Sequence, residues 1–463
     1  MGSVLPSADY ITPTHGDYAL FSVGQRPRVP RHPTGVVLAQ NEAQVVKSVL
    51  CAQKAGINHV VPRAGGHSYE DFSSQDNAIV VDIAAINYVT VTANNGDTGL
   101  AKVGAGARLG KVYSDIFNQG GFNFNGGTCP TVGIGGHVSG GGYGMVARQF
   151  GVAADRVVSI RMVLYNGTIV VANSTQHQDL YWAVRGGGSG SFGIITEFVI
   201  SVFKTTQNAM FKIAFDHTKQ KELLAAWMRY FPSSDARLTT QYNVDKHGST
   251  LVGQFLGTKD QVQKMIQDSG MLSLGGIKEQ TWSDNCNSVG AKAFMWTSSC
   301  DRVDILNVPT YLSQNDKEYS KSKSDYGSVL LPQAGIDAVV DGLANSPDWA
   351  WIQFEALGGV FATIPTNATP YVHRDALFSM QYAVSMQKGQ DRTAPNYQWI
   401  LNYEQSLKPF VNGQHYQNYC DMDIGPNYGV AYWGQENFDR LKKIKPRYDP
   451  HNIFRSEQSV PLQ

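Results

Sequence analysis

The sequence predicts an α+β protein of two domains, the second a large antiparallel sheet backed by helices. Three observations carry that expectation. The chain has 463 residues, more than one hydrophobic core ordinarily serves. Up to about residue 204, β-rich runs alternate with amphipathic stretches and break into glycine-rich turns. From about residue 205 the texture changes, and strands alternate with helices in the manner of a sheet covered on one side.

Taken in order, residues 35–50, GVVLAQNEAQVVKSVL, read as a strand running into an amphipathic helix. HVVPRAGGHSY, from His59, is a short strand breaking into a glycine turn. AIVVDIAAI and GLAKVGAGARLGKVYSDIFNQG continue the strand-then-helix alternation. Residues 155–172, DRVVSIRMVLYNGTIVVA, read as a hairpin with Asn166-Gly167 in its turn. DLYWAVRGGGSGSFGIITEFVISVF is a helix, a glycine loop and a strand. In the second half, AMFKIAF and STLVGQFLGT read as strands and KQKELLAAWMRYF as a helix. The tail, NFDRLKKIKPRYDPHNIF, reads as a helix stopped by its prolines.

Apolar residues make up 42% and charged residues 16% of the chain, the balance of a globular protein. The 38 basic and 38 acidic residues cancel, and no basic run or stripe invites a nucleic acid. No apolar run approaches the roughly 20 residues that cross a bilayer. The opening MGSVLPSADY has neither the charged nor the apolar segment of a signal peptide. Sequons at Asn166, Asn173 and Asn367 nevertheless fit a secreted glycoprotein, and secretion is the expectation. The five cysteines, Cys51, Cys129, Cys286, Cys300 and Cys420, are an odd number, which asks for a special role for one of them.

The chemistry concentrates in glycine. In residues 126–144, GGTCPTVGIGGHVSGGGYG, nine of nineteen residues are glycine, with Cys129 and His137 among them. PRAGGHSY leads a second glycine pair into His67, and RGGGSGSFG supplies a third such turn. Backbone without Cβ atoms can lie against a phosphate or diphosphate. The dinucleotide pattern G-x-G-x-x-G after a first strand is missing, and so is the P-loop. His67, Cys129 and His137 fit no compact zinc spacing, so no metal is expected. Tight structural turns would explain one Gly-Gly-His; they explain three glycine turns less well.

PRAGGHSY, GGTCPTVGIGGHVSGGGYG, LYWAVRGGGSGSFGI, YQNYCDMDIG and YDPHNIFRSEQSVP, in that order, resemble the berberine-bridge-enzyme-like flavoprotein oxidases, a branch of the vanillyl-alcohol-oxidase superfamily. The resemblance runs from about residue 35 to the C-terminus. It implies an FAD-binding domain over 1–204, a substrate-binding domain over 205–410, and a segment 411–463 returning to the FAD domain. It implies FAD attached twice, through His67 to the 8α-methyl and through Cys129 to C6. Further cofactor contacts are implied for Arg63, Ala64, Gly65, Gly66 and Ser68 in the first turn. In the second they are Thr128, Val132, Gly133, Gly136, His137, Gly140, Gly141, Gly142 and Gly144, with Ile194 and Asn418 further along. Arg63, Gly65, Gly66 and Ser68 would form the pyrophosphate turn, and His137 would hydrogen-bond near the ribityl chain and the pyrimidine. With Cys129 used by the flavin, Cys286 and Cys300 are close enough in sequence to pair.

The resemblance also implies a catalytic base, Tyr419 in NYCD, helped by an acidic partner, Glu355. In WAWIQFEALGG, period-two alternation sets Trp351, Gln353 and Glu355 on one face of a strand. With Tyr69 and Gln381 they resemble the groove of gluco-oligosaccharide oxidases, where rings stack on sugars and amides bond hydroxyls. The expected activity is oxidation of a reducing-end C1 hydroxyl to the lactone by a monomer. O₂ is the expected acceptor, giving H₂O₂, because Val132 stands where valine accompanies oxidases. The alternative is a natural-product oxidase acting on an alcohol or closing a ring. Many cyclising members carry an acid on HRDALFSMQYAV where this chain has Ser379, which counts against ring closure.

Overall fold

A computed structural model describes residues 9–94, 96–188, 190–205 and 207–462. Among them, the chain forms three β-sheets. The first sheet takes its order from Tyr10–Ile11, Gly35–Leu38, Ile79–Asp82 and Val60–Arg63. Its last three strands are parallel, and the helix Glu42–Lys54 lies on the crossover. Asn41 caps that helix by accepting from the Gln44 amide at 3.0 Å.

The second sheet is antiparallel and centres on the long strand Ile194–Lys204. Thr98–Gly104 lies on one side of that strand. On the other lies the hairpin Val157–Val163 and Ile169–Asn173, whose Gly167 has φ +77° in its turn. The two sheets and the helix Leu109–Asn118 share one apolar core. The tail joins the same core: Tyr432, Trp433, Leu441, Ile444, Ile453, Phe454 and Val460 are buried in it. The buried Lys445 ties this junction by donating to the Asp449 carboxylate at 2.7 Å and the Phe454 carbonyl at 2.8 Å.

The tail helix corrects one expectation. It spans Tyr428–Tyr448, runs through Pro446 and ends before Pro450. Pro446 falls in the last turn, where the bond it withholds from the Lys442 carbonyl disturbs only the helix end. The kink lies instead at Gly434, with φ +69°.

The third sheet has seven antiparallel strands in the order Ile277–Cys286, Asn208–Asp216, Gly248–Phe255, Leu238–Asp245, Ala350–Ala356, Phe378–Ser385 and Ser320–Gly327. Helices Gln220–Tyr230, Lys259–Asp268, Gln333–Ala344 and Pro395–Leu407 cover one face. Ile352 and Phe354 point into that covered core beside Trp227, Val339 and Ile400. The residues between them therefore face the other way, toward the first two sheets. Among the described residues, no helix is long and apolar enough to cross a membrane.

Cys286, ending the edge strand, is joined to Cys300 across 14 residues, bracketing the helix Ser288–Thr297. Closing a loop of that size restricts the unfolded chain by about 3 kcal/mol on the chain-entropy account. The double variant Cys286→Ser/Cys300→Ser is expected to melt several degrees below the wild type. A scan of the wild type with reductant should approach the same midpoint.

Candidate active site

A cavity of about 440 Å³ separates the glycine turns from the open face of the third sheet, within the size range of small-molecule and cofactor sites. Its walls bring together Ala64, Gly65, Gly66, His67, Ser68 and Tyr69 with Thr128, Cys129, Val132, Gly133, Gly136, His137 and Gly144. Trp351, Gln353, Glu355 and Gln381 face them from the sheet, and Asn418 and Tyr419 from the tail.

The two glycine turns meet backbone to backbone. A Cβ added at Gly65 would stand 2.2 Å from the Gly133 nitrogen, and one at Gly133 would stand 2.2 Å from the Gly65 nitrogen. Neither position can carry a side chain without moving main chain. The second turn is zipped to residues 105–109 by Leu109 N–H to the Val132 carbonyl (2.9 Å), Ile134 N–H to Ala107 (2.8 Å) and Gly135 N–H to Ala105 (3.0 Å). The buried Arg108 clamps both turns, donating to the Thr131 carbonyl and, at 3.4 Å, to that of Gly65. His67 and Cys129, the two expected attachment residues, thereby share one cavity wall.

Burial, followed by the charges of Arg26 and Arg108, holds the His67 imidazole well below its ordinary pKa. It is neutral at physiological pH, and its Nε2 has no hydrogen-bond partner in the chain. Cys129 is a free thiol 3.2 Å from the Thr131 hydroxyl.

Several expected contacts are redirected. Arg63 is not part of the wall: its Nε donates to Asp82 at 2.7 Å, a buried pair that fixes the end of its strand. Gly140, Gly141, Gly142 and Ile194 also lie outside the wall, where Gly193 and Ile195 stand instead. Those three glycines give clearance to Asn418, Tyr371 and His137 respectively, each within 2.8 Å of where a Cβ would be. Ser68 is in the wall, but its Oγ accepts from the Phe72 amide (3.0 Å) and touches the Cys420 sulfur (3.3 Å). His137 is pushed down to about 4 by burial and by Lys292. Its Nε2 accepts from the Gly127 amide at 3.0 Å, so Nδ1 carries the proton. On the strand Phe378–Ser385 the residue reaching the cavity is Gln381; Ser379 does not line it.

At the sheet end, Tyr69 and Tyr419 stack with centroids 5.3 Å apart and planes 7° from parallel. Arg26 sits 4.6 Å over the Tyr69 ring, and Gln381 donates to the Tyr69 hydroxyl. Burial, then Tyr69 and Glu355, raise Tyr419 well above an ordinary phenol. Glu355 is pushed up to about 7 by burial, against the hydrogen bonds from Gln241 and Tyr143. Gln241 is its cross-strand neighbour and donates to Oε1; Gln353 donates to the same oxygen at 3.4 Å. Tyr143 interacts with Glu355 and with Tyr419, lowering the pKa of each.

Tyr143, Gln241, Tyr416 and Trp296 line the cavity without having been singled out. Tyr143 lies within the glycine motif, and its signal is an aromatic residue set among the glycines of GGGYG. Gln241 had none, because its place depends on strand pairing. Tyr416 accepts from Asn418 and from the Gly142 amide, each at 2.8 Å. Trp296 is 55% exposed and donates its indole N–H to the Thr128 carbonyl at 2.7 Å.

A family profile described as an FAD binding domain matches residues 33–173, and one described as berberine and berberine like matches residues 415–461. Berberine bridge enzyme-like 1 of Arabidopsis thaliana is 32% identical over 99% of this chain and 89% of its own length. The solved structure of wild-type BBE-like 1 of Physcomitrella patens has a TM-score of 0.87 at 29% identity, covering 99% of this chain and 97% of that one. Wild-type Phl p 4.0202, titled a glucose dehydrogenase, has a TM-score of 0.86 at 25% identity, covering 99% and 98%. A variant of Phl p 4 with isoleucine exchanged for valine is titled a glucose oxidase.

The residues present fit FAD. The clearance-free contact at Gly65 and Gly133 leaves bare backbone along the wall, and His67 offers an unpartnered ring nitrogen there. Gly65→Ala is expected to cost about 1–3 kcal/mol from overpacking and to yield protein with little bound flavin. Gly16→Ala, where nothing lies within 4 Å, should stay within about 0.5 kcal/mol of the wild type. Thermal midpoints and the flavin absorbance per chain check both.

Glu355 generates a second expectation. Because its pKa is raised to about 7, the carboxylate forms only as pH rises through that value. If it supports the base, kcat/KM should climb across about pH 6–8. Glu355→Gln should flatten that limb.

Proposed function

The chain belongs to the berberine bridge enzyme-like family of FAD-linked oxidoreductases, and from that premise we propose that it oxidises the C1 hydroxyl of a reducing-end sugar to the lactone. FAD is held through His67 and Cys129, and O₂ is the electron acceptor. The observation that carries the reading is the floor opposite the turns. There a half-buried Trp351, the amides of Gln353 and Gln381, and the stacked phenols of Tyr69 and Tyr419 share one cavity. An indole stacks on the apolar face of a pyranose, and the amides bond its hydroxyls.

When bound, FAD would supply the acceptor for the C1 hydride and the two-electron route to O₂ that yields H₂O₂. The residues of this chain handle the proton. The sugar hydroxyl gives its proton to the Tyr419 oxygen. Tyr419, too weak a base by itself, passes its own proton through Tyr143 toward Glu355, whose pKa of about 7 keeps a carboxylate available near neutrality. Gln241 and Gln353 hold that carboxylate on the cavity face. His67, Cys129 and the glycine backbone keep the cofactor in a cleft that stays open to a sugar.

Val132 in the wall supports oxygen as acceptor, in parallel with Phl p 4, a glucose dehydrogenase as wild type and a glucose oxidase with one isoleucine exchanged for valine. A secreted glycoprotein is supported by the exposed sequon residues Asn166 and Asn367 and by the disulfide, which fits an oxidising compartment.

The test joins attachment and turnover. Acid-precipitated protein should stay yellow, and single variants at His67 or Cys129 should keep the flavin through the other link. Mono- and oligosaccharides should release H₂O₂. Tyr419→Phe should slow anaerobic flavin reduction by sugar about 10²–10⁴-fold and leave reoxidation by O₂ unchanged. A precipitate that gives up all its flavin sinks the covalent reading. Peroxide from aromatic or alkaloid alcohols alone moves the assignment to a natural-product oxidase.

A further inference from the structure

The strand Ser320–Gly327 reads SKSKSDYG yet is buried along its whole length. Its two lysines sit among carboxylates. Lys321 donates to Glu70 and to Asp421, each at 2.5 Å, and pairs with Asp423 at 3.1 Å; all four side chains are 1–5% exposed. Lys323 donates to Asp421 at 2.6 Å and pairs with Glu404 at 2.8 Å. Arg28 completes the group on Glu70. Burial opposes the charge on Lys321, but Asp421, Glu70 and Asp423 outweigh it and keep the lysine protonated. Such a cluster gains little stability over apolar residues of equal volume, so stability alone does not account for it.

Its place in the fold does. Glu70 follows Tyr69, and Asp421 lies two residues after Tyr419. The two segments run side by side. Ser68 touches Cys420 at 3.3 Å, the tyrosine rings stack at 5.3 Å, and Glu70 and Asp421 both reach the Lys321 ammonium. Two carboxylates side by side repel, and Lys321 bridges them from the third sheet. One ammonium thus joins the first turn, the tail and the substrate sheet.

We propose that Lys321 is a positioning residue, which by tying Glu70 to Asp421 holds Tyr69 and Tyr419 face to face at the reacting end of the cavity. The proposal rests on Tyr419 being the base, as read above, for its kinetic consequence; its structural consequence does not. Lys321→Met keeps the length and removes the charge. The expected result is anaerobic flavin reduction by cellobiose slowed about 10²-fold, the scale of a misplaced catalytic group, with reoxidation by O₂ unchanged. Lys321→Arg should recover part of the rate.

A double-mutant cycle separates positioning from general damage. In a Tyr419→Phe background, Lys321→Met should lower the rate by less than about twofold further; a full multiplicative loss overturns the proposal. If Lys321→Met does not fold, Glu70→Gln takes its place, with a smaller expected loss, and a wild-type rate there overturns the proposal equally. A crystal structure of the variant decides independently of substrate: Tyr69 and Tyr419 should no longer stack, and a stack kept at its wild-type spacing refutes the positioning role. Should Tyr419→Phe alone reduce at the wild-type rate, the assignment of the base fails, and the crystal structure still decides the role of Lys321.

Discussion

The contact between Gly65 and Gly133 sets the distance from His67 to the Cys129 loop, and the site depends on it. Two loops from different parts of the first half approach until main chain touches main chain. Arg108, reaching the carbonyls of both, holds them there from a buried position. Burial brings that guanidinium down to about 10, so it keeps its charge at any physiological pH. The glycines are thus explained first by what the protein needs of itself. Some leave bare wall, while Gly140, Gly141 and Gly142 leave room for Asn418, Tyr371 and His137.

The opposite wall follows from a different constraint. A sheet covered by helices on one face must present every second residue to the other. Ile352 and Phe354 lie in the covered core, and Trp351, Gln353 and Glu355 face the cavity. Strand pairing then sets their neighbours. Gln241 falls opposite Glu355, and Gln381 opposite Gln353. Five polar or amphipathic groups on one open face cost little because the cavity leaves room for a polar ligand. The same groups buried against helices would need internal partners.

Burial also sets the electrostatics. It lowers His67 and His137 and raises Glu355 and the tyrosines around Tyr419. The imidazoles and phenols at this end are therefore neutral at rest, with a carboxyl poised near neutrality, the Arg26 guanidinium over Tyr69 and a buried charge cluster behind. That cluster, around Lys321, joins all three parts of the chain by charge at one point; elsewhere single ion pairs such as Arg374–Asp155 and Arg31–Glu457 join them two at a time.

What the sequence determined by itself was everything governed by near neighbours along the chain. Glycine runs announced turns because missing side chains act locally, and alternation around Gln353 announced a strand face because the β period is local. Cys286 and Cys300 were legible as a pair through their closeness. The ordered motifs were legible too, because each is a continuous stretch. Tertiary structure alone decided which distant groups meet. It diverted Arg63 to Asp82, carried the tail helix through Pro446, and set Gln241 beside Glu355. It also placed Tyr143 next to both Glu355 and Tyr419, and brought Lys321 between Glu70 and Asp421. Each of these depends on contacts made across hundreds of residues, or on which side of a wall a side chain finds room. Packing enforces such choices once the chain has closed on itself.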